Sequence, residues 1–263
     1  MHASAGSFHR LRWVVLSVAA AAFAHGAEGL DTRRSGYEFM SAETRAMQDD
    51  DLLNPAMLWV LDGEALWRQK AGTNQSACAD CHGDAAGSMK GVAARYPAWD
   101  DRARRPINLQ QRINACRVSR QGAEPFADES REVLALLAYV GRQSRGMPIE
   151  IAVDARVEPF LKSGRELFFR RQGQLNLACT QCHDEYSGKK LAGIPIPQAH
   201  PTGYPIYRLE WQSVGSLQRR LRNCMNGIRA QPYAYGAPEF VDLELYLLWR
   251  ARGMKVETPA VRP

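Results

Sequence analysis

Cys78-Ala79-Asp80-Cys81-His82 and Cys179-Thr180-Gln181-Cys182-His183 share the pattern C-x-x-C-H, and this pattern decides the fold. Its two thiols can each add to one vinyl group of a porphyrin, and the histidine that follows can reach the iron as an axial ligand. A disulfide hairpin or a zinc cluster of Cys and His is the alternative interpretation. Because the pattern occurs twice in one chain, we expect two covalently bound haem c groups. The haems would be attached through Cys78, Cys81, Cys179 and Cys182, with His82 and His183 as iron ligands.

The N-terminus has the pattern of a secretory signal peptide. Basic residues, among them Arg10 and Arg12, precede an apolar run at 13–23, and small residues follow it. That run is too short to cross a bilayer, so we expect residues 1–24 to be removed, with cleavage after residue 27 as the alternative. Haem c is attached on the outer side of the bacterial membrane, which makes the periplasm the expected location. No other apolar run approaches the length of about 18 residues that a spanning helix needs, so no membrane insertion is expected.

The charge of the chain points to a small anion rather than to nucleic acid. The chain carries 34 Lys and Arg against 28 Asp and Glu, a formal net charge of +6. An exported protein meets no regular nucleic-acid partner, so a local attraction for a small anion fits this charge better. A solvated helix face is the alternative interpretation. The basic residues that surround Cys224 in the sequence are Arg219, Arg220, Arg222 and Arg229.

The two halves of the chain repeat more than the C-x-x-C-H pattern. Residues 63–67 match residues 164–168 at an offset of 101, and Cys116 matches Cys224 at an offset of 108. The second copy therefore has seven extra residues, which lie within 189–201, where three prolines argue against a regular helix. The repeat predicts a duplicated domain. The expected segments are a polar lead-in at 28–55, a haem 1 domain at 56–148, a linker at 149–158 and a haem 2 domain at 159–263.

Each copy has the layout of a small helical cytochrome. A helix with the spacing G-x-x-x-[W/F] opens the copy, and a helix with leucines and a tyrosine three or four positions apart closes it. The closing helices are predicted over 132–143 and 239–250, and no segment is rich in strand signals. The predicted fold class is mostly α, with two tandem cytochrome c-like domains related by internal duplication.

The ligand opposite each histidine determines what each iron can do. Cys116 and Cys224 lie 34 and 41 residues after the two histidines, just before the closing helices, where a small cytochrome delivers its distal ligand. An arginine four residues earlier, Arg112 or Arg220, can stabilise a thiolate. We therefore expect Cys116 on haem 1, opposite His82, and Cys224 on haem 2, opposite His183. The less favoured alternatives are Met147 and Met254, a Cys116–Cys224 disulfide, Met225, and His200, which is expected on the surface.

Over essentially its whole mature length the chain resembles SoxA, the dihaem cytochrome subunit of the SoxAX complex of bacterial sulfur oxidation. The resemblance rests on the two haem-attachment patterns and on the segment W-Q-S-V-G-S-L-Q-R-R-L-R-N-C at 211–224. It implies an L-cysteine S-thiosulfotransferase in which Cys224 is both iron ligand and catalytic sulfur, often as a persulfide, and Arg220 binds the anionic substrate. The reaction would join thiosulfate to a cysteine of the SoxYZ carrier protein. The electrons would pass to the haem of the partner SoxX and on to a small cytochrome c acceptor.

Three other functions compete with the transferase. A thiosulfate dehydrogenase would couple two thiosulfates to tetrathionate, a pure periplasmic electron carrier would need two ordinary reversible irons, and a dihaem peroxidase would need one open iron. The segment at 211–224 and the matched cysteines beside arginines favour the transferase. In that function Arg222 or Arg229 could help Arg220 to hold the sulfonate end of thiosulfate. Haem 1 would be a structural remnant of the duplication or a minor relay.

Overall fold

Helices are the main regular elements of the structure, a computed structural model that describes residues 1–3 and 32–263. Apart from its first three residues, the predicted signal peptide lies outside the described residues. Residues Arg33–Pro263 form one compact unit, and no helix in the described ranges is long and apolar enough to cross a membrane. The α-helices of this unit are α1 Ala42–Asp49, α2 Met57–Arg68, α3 Cys78–His82, α4 Ala85–Ser88, α5 Leu109–Cys116, α6 Arg131–Arg142, α7 Glu158–Phe169, α8 Leu217–Gly227 and α9 Pro238–Arg250. Its strands are β1 Ala98–Asp100, β2 Arg105–Ile107, β3 Lys190–Leu191, β4 Ile194–Pro195, β5 Ile206–Arg208, β6 Ser213–Gly215 and β7 Ala260–Arg262.

The two closing helices predicted from sequence are present as α6 and α9. Helix α6 begins after Ser130, whose hydroxyl accepts a hydrogen bond from the backbone N–H of Val133 at 3.4 Å. Helix α9 begins with Pro238, whose missing N–H costs nothing in a first turn. Both helices bury a nearly continuous run of side chains, so each forms the centre of the core of its copy.

The repeated G-x-x-x-[W/F] spacing lets the opening helix approach the closing helix of the same copy. A Cβ added at Gly63 in α2 would lie 2.2 Å from the carbonyl oxygen of Ala135 in α6. A Cβ at Gly164 in α7 would lie 1.9 Å from the carbonyl oxygen of Asp242 in α9. Only glycine fits such contacts. The aromatic residue four positions later, Trp67 or Phe168, is buried against the same closing helix.

Short antiparallel hairpins recur at the same place in the two copies. Strands β1 and β2 pair with Ala98 opposite Ile107, and β5 and β6 pair with Ile206 opposite Gly215. In the second copy β7 adds a parallel neighbour to β5. Strands β3 and β4 form a further small hairpin in the proline-containing segment 189–201, which has no helix, as its prolines predict. The strands are two or three residues long, too short to leave a pattern in the sequence.

The segments predicted as separate domains are tied together by buried polar contacts. Helix α1, in the predicted lead-in, carries Gln48, whose side-chain oxygen accepts from the backbone N–H of Val261 in β7 at 3.1 Å. Arg105 of the first copy pairs with Asp242 of the second at 2.8 Å. Helix α7 begins at Glu158, which is the last residue of the predicted linker. The predicted domain boundaries stay predictions, because the two copies pack as one unit.

Candidate haem-thiolate site

Helix α8 carries the two residues that the sequence predicts to be catalytic. The hydroxyl of Ser216 accepts from the backbone N–H of Arg219 at 3.1 Å and starts the helix. Arg220 and Cys224 are four positions apart, so both lie on one face of α8. That face borders a cavity. The polar and charged side chains that line the cavity belong to His183, His200, Thr202, Tyr204, Arg208, Arg220, Cys224 and Arg262.

His183 faces Cys224 in this cavity. The imidazole Nδ1 donates a hydrogen bond to the carbonyl oxygen of Pro197 at 2.7 Å, which leaves Nε2 for other partners. The His183 side chain also makes a hydrogen bond with the Cys224 thiol. Pro197 lies in the segment 189–201, where the second copy has its extra residues. The segment with the extra residues therefore orients His183. No prediction from the sequence included this role of the segment.

The donor groups at the cavity fit a haem c. An imidazole whose Nδ1 is held by a carbonyl oxygen and a thiol that borders the same cavity are groups that could hold one haem iron. Cys179 and Cys182 are near enough to Cys224 for its charge to affect them: burial and then Cys224 raise the pKa of Cys179 to about 12. All six cysteines lie within the described residues and none forms a disulfide, which leaves the C-x-x-C thiols available for thioether bonds. Within the same residues no group of three or more His, Cys, Asp or Glu is placed to hold a metal ion.

The electrostatics of the cavity favour a thiolate at Cys224. Burial by itself raises the pKa of this thiol, but the hydrogen bond from His183 and the charges of Arg220 and Arg208 together hold it below its ordinary value. Burial opposes the charge of Arg220, yet the nearby Cys224 and Tyr204 keep the pKa of its guanidinium raised. Arg220 forms no ion pair with any carboxylate in the described ranges. Its charge is therefore available to an anion in the cavity.

In the first copy, the residues that match Cys224, His183 and Arg220 lie in a different environment. Cys116 is the last residue of α5, and its charge, after burial, raises the pKa of Cys78. His82 is exposed, with its ring 5.7 Å from that of Trp67. Arg112 donates to a carboxylate oxygen of Asp100 at 2.6 Å. The arginine beside Cys116 is therefore neutralised by a carboxylate.

Two of the arginines predicted to hold the sulfonate end do not line the cavity. Arg222 lies two positions from Arg220, which turns it to another side of α8, where it donates to the carbonyl oxygen of Tyr233 and lies 4.7 Å from the ring of Tyr235. Arg229 follows the helix and is exposed. Of the three arginines, only Arg220 lines the cavity, because proximity in sequence does not place every arginine on one face; a role for Arg222 or Arg229 stays a prediction.

Three further residues are relevant to the cavity, and one of them lies where the sequence did not predict it. His200, expected on the surface, is 9% exposed and lines the cavity, where its Nδ1 lies 3.1 Å from the carbonyl oxygen of Arg34. Met225 is buried and is absent from the lining of the cavity. Arg208, at the end of β5, is buried and lines the cavity, although no prediction from the sequence included it. One signal could have found it: at the offset of 108 that relates Cys116 to Cys224, Arg208 matches Asp100.

Two helical copies, each with a C-x-x-C-H pattern and a cysteine in the matching later helix, define a tandem c-type cytochrome. The family model described as SoxA/TsdA, cytochrome c domain matches the chain twice, over residues 62–149 and 163–256. The two matches cover both copies. The chain belongs to this family and, by its similarity to the curated proteins below, to its SoxA members.

The similarity extends over most of the chain. The chain is 40% identical over 233 residues to the L-cysteine S-thiosulfotransferase subunit SoxA of Pseudaminobacter salicylatoxidans, covering 88% of this chain and 82% of that protein. It is 38% identical over 239 residues to the subunit of the same name from Rhodovulum sulfidophilum, covering 91% and 83%. Among solved structures, it matches a chain of SoxXA from P. pantotrophus with a TM-score of 0.85 and 32% identity, covering 88% and 87%. The fold is therefore that of two tandem cytochrome c-like domains.

Proposed function

We propose that this chain catalyses the oxidative attachment of thiosulfate to a cysteine of a SoxYZ carrier protein, as an L-cysteine S-thiosulfotransferase. One observation carries the proposal: the Cys224 thiol, with its pKa held below the ordinary value after the opposing effect of burial, borders a cavity with Arg220 and His183. Thiosulfate is a small dianion that a guanidinium can attract and orient. The names of the curated relatives, each an L-cysteine S-thiosulfotransferase subunit, support the same activity.

The proposed reaction balances as R-SH plus thiosulfate giving R-S-S-SO3⁻, one proton and two electrons, where R-SH is the carrier cysteine. Arg220 holds the sulfonate end of thiosulfate, and the Cys224 sulfur forms a bond to its outer sulfur with loss of one proton and two electrons. The carrier thiol then takes the S-SO3⁻ group from this covalent intermediate, and Cys224 returns to the thiol. His183 and Cys224 would hold the iron of haem 2, and Cys179 and Cys182 would attach its porphyrin. When bound, the haem supplies an electron acceptor beside the reacting sulfur. Pro197 keeps the imidazole in the orientation that presents Nε2.

The remaining parts of the proposal concern the first copy and the partners. Cys78 and Cys81 would attach haem 1, with His82 and Cys116 as its ligands, which gives two covalent haems per chain. The partner would be a SoxX cytochrome c subunit, as the solved relative is a SoxXA complex. A small cytochrome c would accept the electrons. The location would be the periplasm, where haem c proteins are assembled, and the predicted signal peptide agrees with it.

The test uses the haem-loaded chain with its cytochrome partner, oxidised cytochrome c, thiosulfate and a carrier protein that ends in a free cysteine. We expect cytochrome reduction that depends on the carrier, with a thiosulfonate adduct on the carrier cysteine in the mass spectrum. Carrier-independent reduction with tetrathionate as product would instead identify a thiosulfate dehydrogenase. Absence of turnover with intact haem spectra would overturn both enzymatic functions.

The role of Cys224 is tested with a matched pair of variants. Cys224→Met should keep two haems per chain by the pyridine haemochrome assay but lose nearly all transfer, because methionine cannot form the covalent intermediate. Cys116→Met makes the same change in the first copy and should keep the activity. Full activity in Cys224→Met, or an equal loss in both variants, would contradict the proposed role of Cys224.

A further inference from the structure

The two copies differ by a reversal of charge at one position of their matching hairpins. Asp100 is the last residue of β1, and Arg208 is the last residue of β5. In each hairpin this residue occupies the same register, opposite the first residue of the second strand, Arg105 or Ser213. The tyrosine four positions earlier and the arginine twelve positions later are the same in both copies. Between them a carboxylate in the first copy is replaced by a guanidinium in the second.

In the first copy this position closes an internal ion pair. Arg112 donates to Asp100 at 2.6 Å, and its Nε donates to the hydroxyl of Tyr96 at 3.3 Å. Asp100 also accepts from the backbone N–H of Ala103 at 2.6 Å, and this hydrogen bond, with the charge of Arg112, holds the pKa of Asp100 below its ordinary value against burial. The arginine of the first copy thus already has its anion within the protein.

In the second copy Arg208 and Arg220 have no buried carboxylate partner of this kind among the described residues. Arg208 is 6% exposed, and both Arg208 and Arg220 line the cavity that contains Cys224. The Arg208 Nη2 pairs with Glu210 at 2.9 Å, but the Glu210 side chain is half exposed. The Arg208 Nε is buried and has no hydrogen-bond partner in the described part of the chain. Burial, followed by repulsion from Arg220, lowers the pKa of Arg208.

An anion bound in the cavity would accept a hydrogen bond from the buried Arg208 Nε and would offset the repulsion between Arg208 and Arg220. Burying an unpaired polar N–H costs free energy, and two like charges in one cavity repel each other. A group with several anionic oxygens can accept from two guanidinium groups at once, since each of them presents a planar fork of donors. The sulfonate end of thiosulfate has three such oxygens, and the cavity that the two arginines share also contains the Cys224 thiol.

We propose that Arg208 and Arg220 together form a two-guanidinium subsite that binds the sulfonate of thiosulfate, and that Asp100 prevents the first copy from having one. The inference rests on the proposed function, because it names the residue that completes the substrate site around Cys224. Arg208 is a substrate-binding residue, and the reversal of charge between Asp100 and Arg208 determines which copy accepts the anion.

The test compares three substitutions of Arg208 with a control in the haem-loaded chain bound to its cytochrome partner. Binding of thiosulfate is measured by calorimetry without carrier, and KM for thiosulfate is measured with carrier. Arg208→Gln should raise both Kd and KM about tenfold or more, since it removes a charged donor pair. Arg208→Lys should recover part of the affinity. Arg208→Asp, which copies the residue of the first copy, should abolish measurable binding because its carboxylate would pair with Arg220.

The matched control is Arg219→Gln, which removes the same charge from the neighbouring position of Arg220. The Arg219 guanidinium lies 4.4 Å from the centre of the Trp211 ring and does not line the cavity. It should change Kd and KM less than twofold. An equal effect of Arg208→Gln and Arg219→Gln would show that net charge alone matters and would overturn the proposal.

A further measurement tells whether Arg208 binds the substrate or a propionate of the haem, which is the other anion that a haem protein contains. If Arg208 holds a propionate, Arg208→Gln should change the absorption spectrum and reduction potential of haem 2 and leave the Kd of thiosulfate unchanged, which would overturn the proposal. Failure of the proposed function has another signature. Thiosulfate would then bind in a manner that depends on Arg208, but no adduct would form on the carrier, and the anion subsite would stand.

Discussion

Glu244 is expected to make the fold lose stability as the pH rises towards neutrality. This side chain lies in α9 and is only 7% exposed. Burial raises its pKa to about 7, despite the lowering effect of the amides of Gln218 and Asn108. The Asn108 Nδ2 donates to the two carboxylate oxygens at 3.3 and 3.4 Å, so this contact joins the start of α5 in the first copy to α9 in the second. A carboxylate therefore lies in the interface between the copies.

The sign and size of the effect follow from the pKa of Glu244 in the folded and unfolded chain. The ordinary pKa of 4.5 applies to the unfolded chain, so between pH 4.5 and about 7 the folded state binds more protons than the unfolded state. The free energy of unfolding therefore falls as the pH rises through this window. The stabilisation is complete below the unfolded pKa and lost above the folded one. Each pKa unit corresponds to 1.36 kcal/mol, which gives a total loss of about 3 kcal/mol.

The variant Glu244→Gln removes this titration and keeps the shape and hydrogen-bonding capacity of the side chain. We expect the urea unfolding free energy of the variant to be within about 1 kcal/mol of the parent protein at pH 5 and up to about 3 kcal/mol higher at pH 8. Glu239→Gln is the control, since Glu239 is exposed in the first turn of the same helix. Its difference from the parent protein should not change between these pH values. An equal difference for Glu244→Gln at pH 5 and pH 8 would refute the reasoning.

Two further predictions concern the packing of the copies. Gly164→Ala should lower the unfolding free energy by about 3 kcal/mol, because its Cβ would lie 1.9 Å from the carbonyl oxygen of Asp242, whereas Gly87→Ala, with nothing within 4 Å of its Cβ, should have little effect. Equal thermal midpoints for the two variants would contradict this packing. Arg105→Ala should cost about 1–3 kcal/mol and more at pH 8 than at pH 5, because it leaves the buried Asp242 without its cationic partner and the pKa of that carboxyl is already raised, chiefly by burial. A loss independent of pH would show that the ion pair is not its cause.

The parts of the fold that sequence predicts are those with a long pattern. The closing helices, the glycine contacts of the opening helices and the duplicated layout all rest on spacings repeated in both copies. The hairpins of two or three residues could not be predicted, because strands of that length show no alternation. The tie between Gln48 and β7 could not be predicted either, since it joins residues 213 positions apart.

The candidate site also has residues that could be predicted from the sequence and residues that could not. Cys224 and Arg220 could be selected because they are one turn apart on a helix, which a linear spacing reveals. Arg208 reaches the cavity from a strand, and the carbonyl oxygen of Pro197 belongs to the backbone of an irregular segment. Such contributions depend on the path of the chain in three dimensions. The exchange of Asp100 for Arg208 was nevertheless visible in the aligned copies, because a reversal of charge within a repeat marks a place where the copies have diverged.

The pattern of this divergence connects the duplication to the proposed chemistry. Both copies keep the glycine contact between the opening helix and the closing helix. A single added methyl group would disturb this contact. The features found only in the second copy, the segment that contains Pro197 and the arginine at 208, both contribute to the cavity around Cys224. A change at the wall of the cavity alters which ligand binds without disturbing the helices that support it. The first copy, which shares the supporting helices, keeps its matching arginine in an internal ion pair with Asp100.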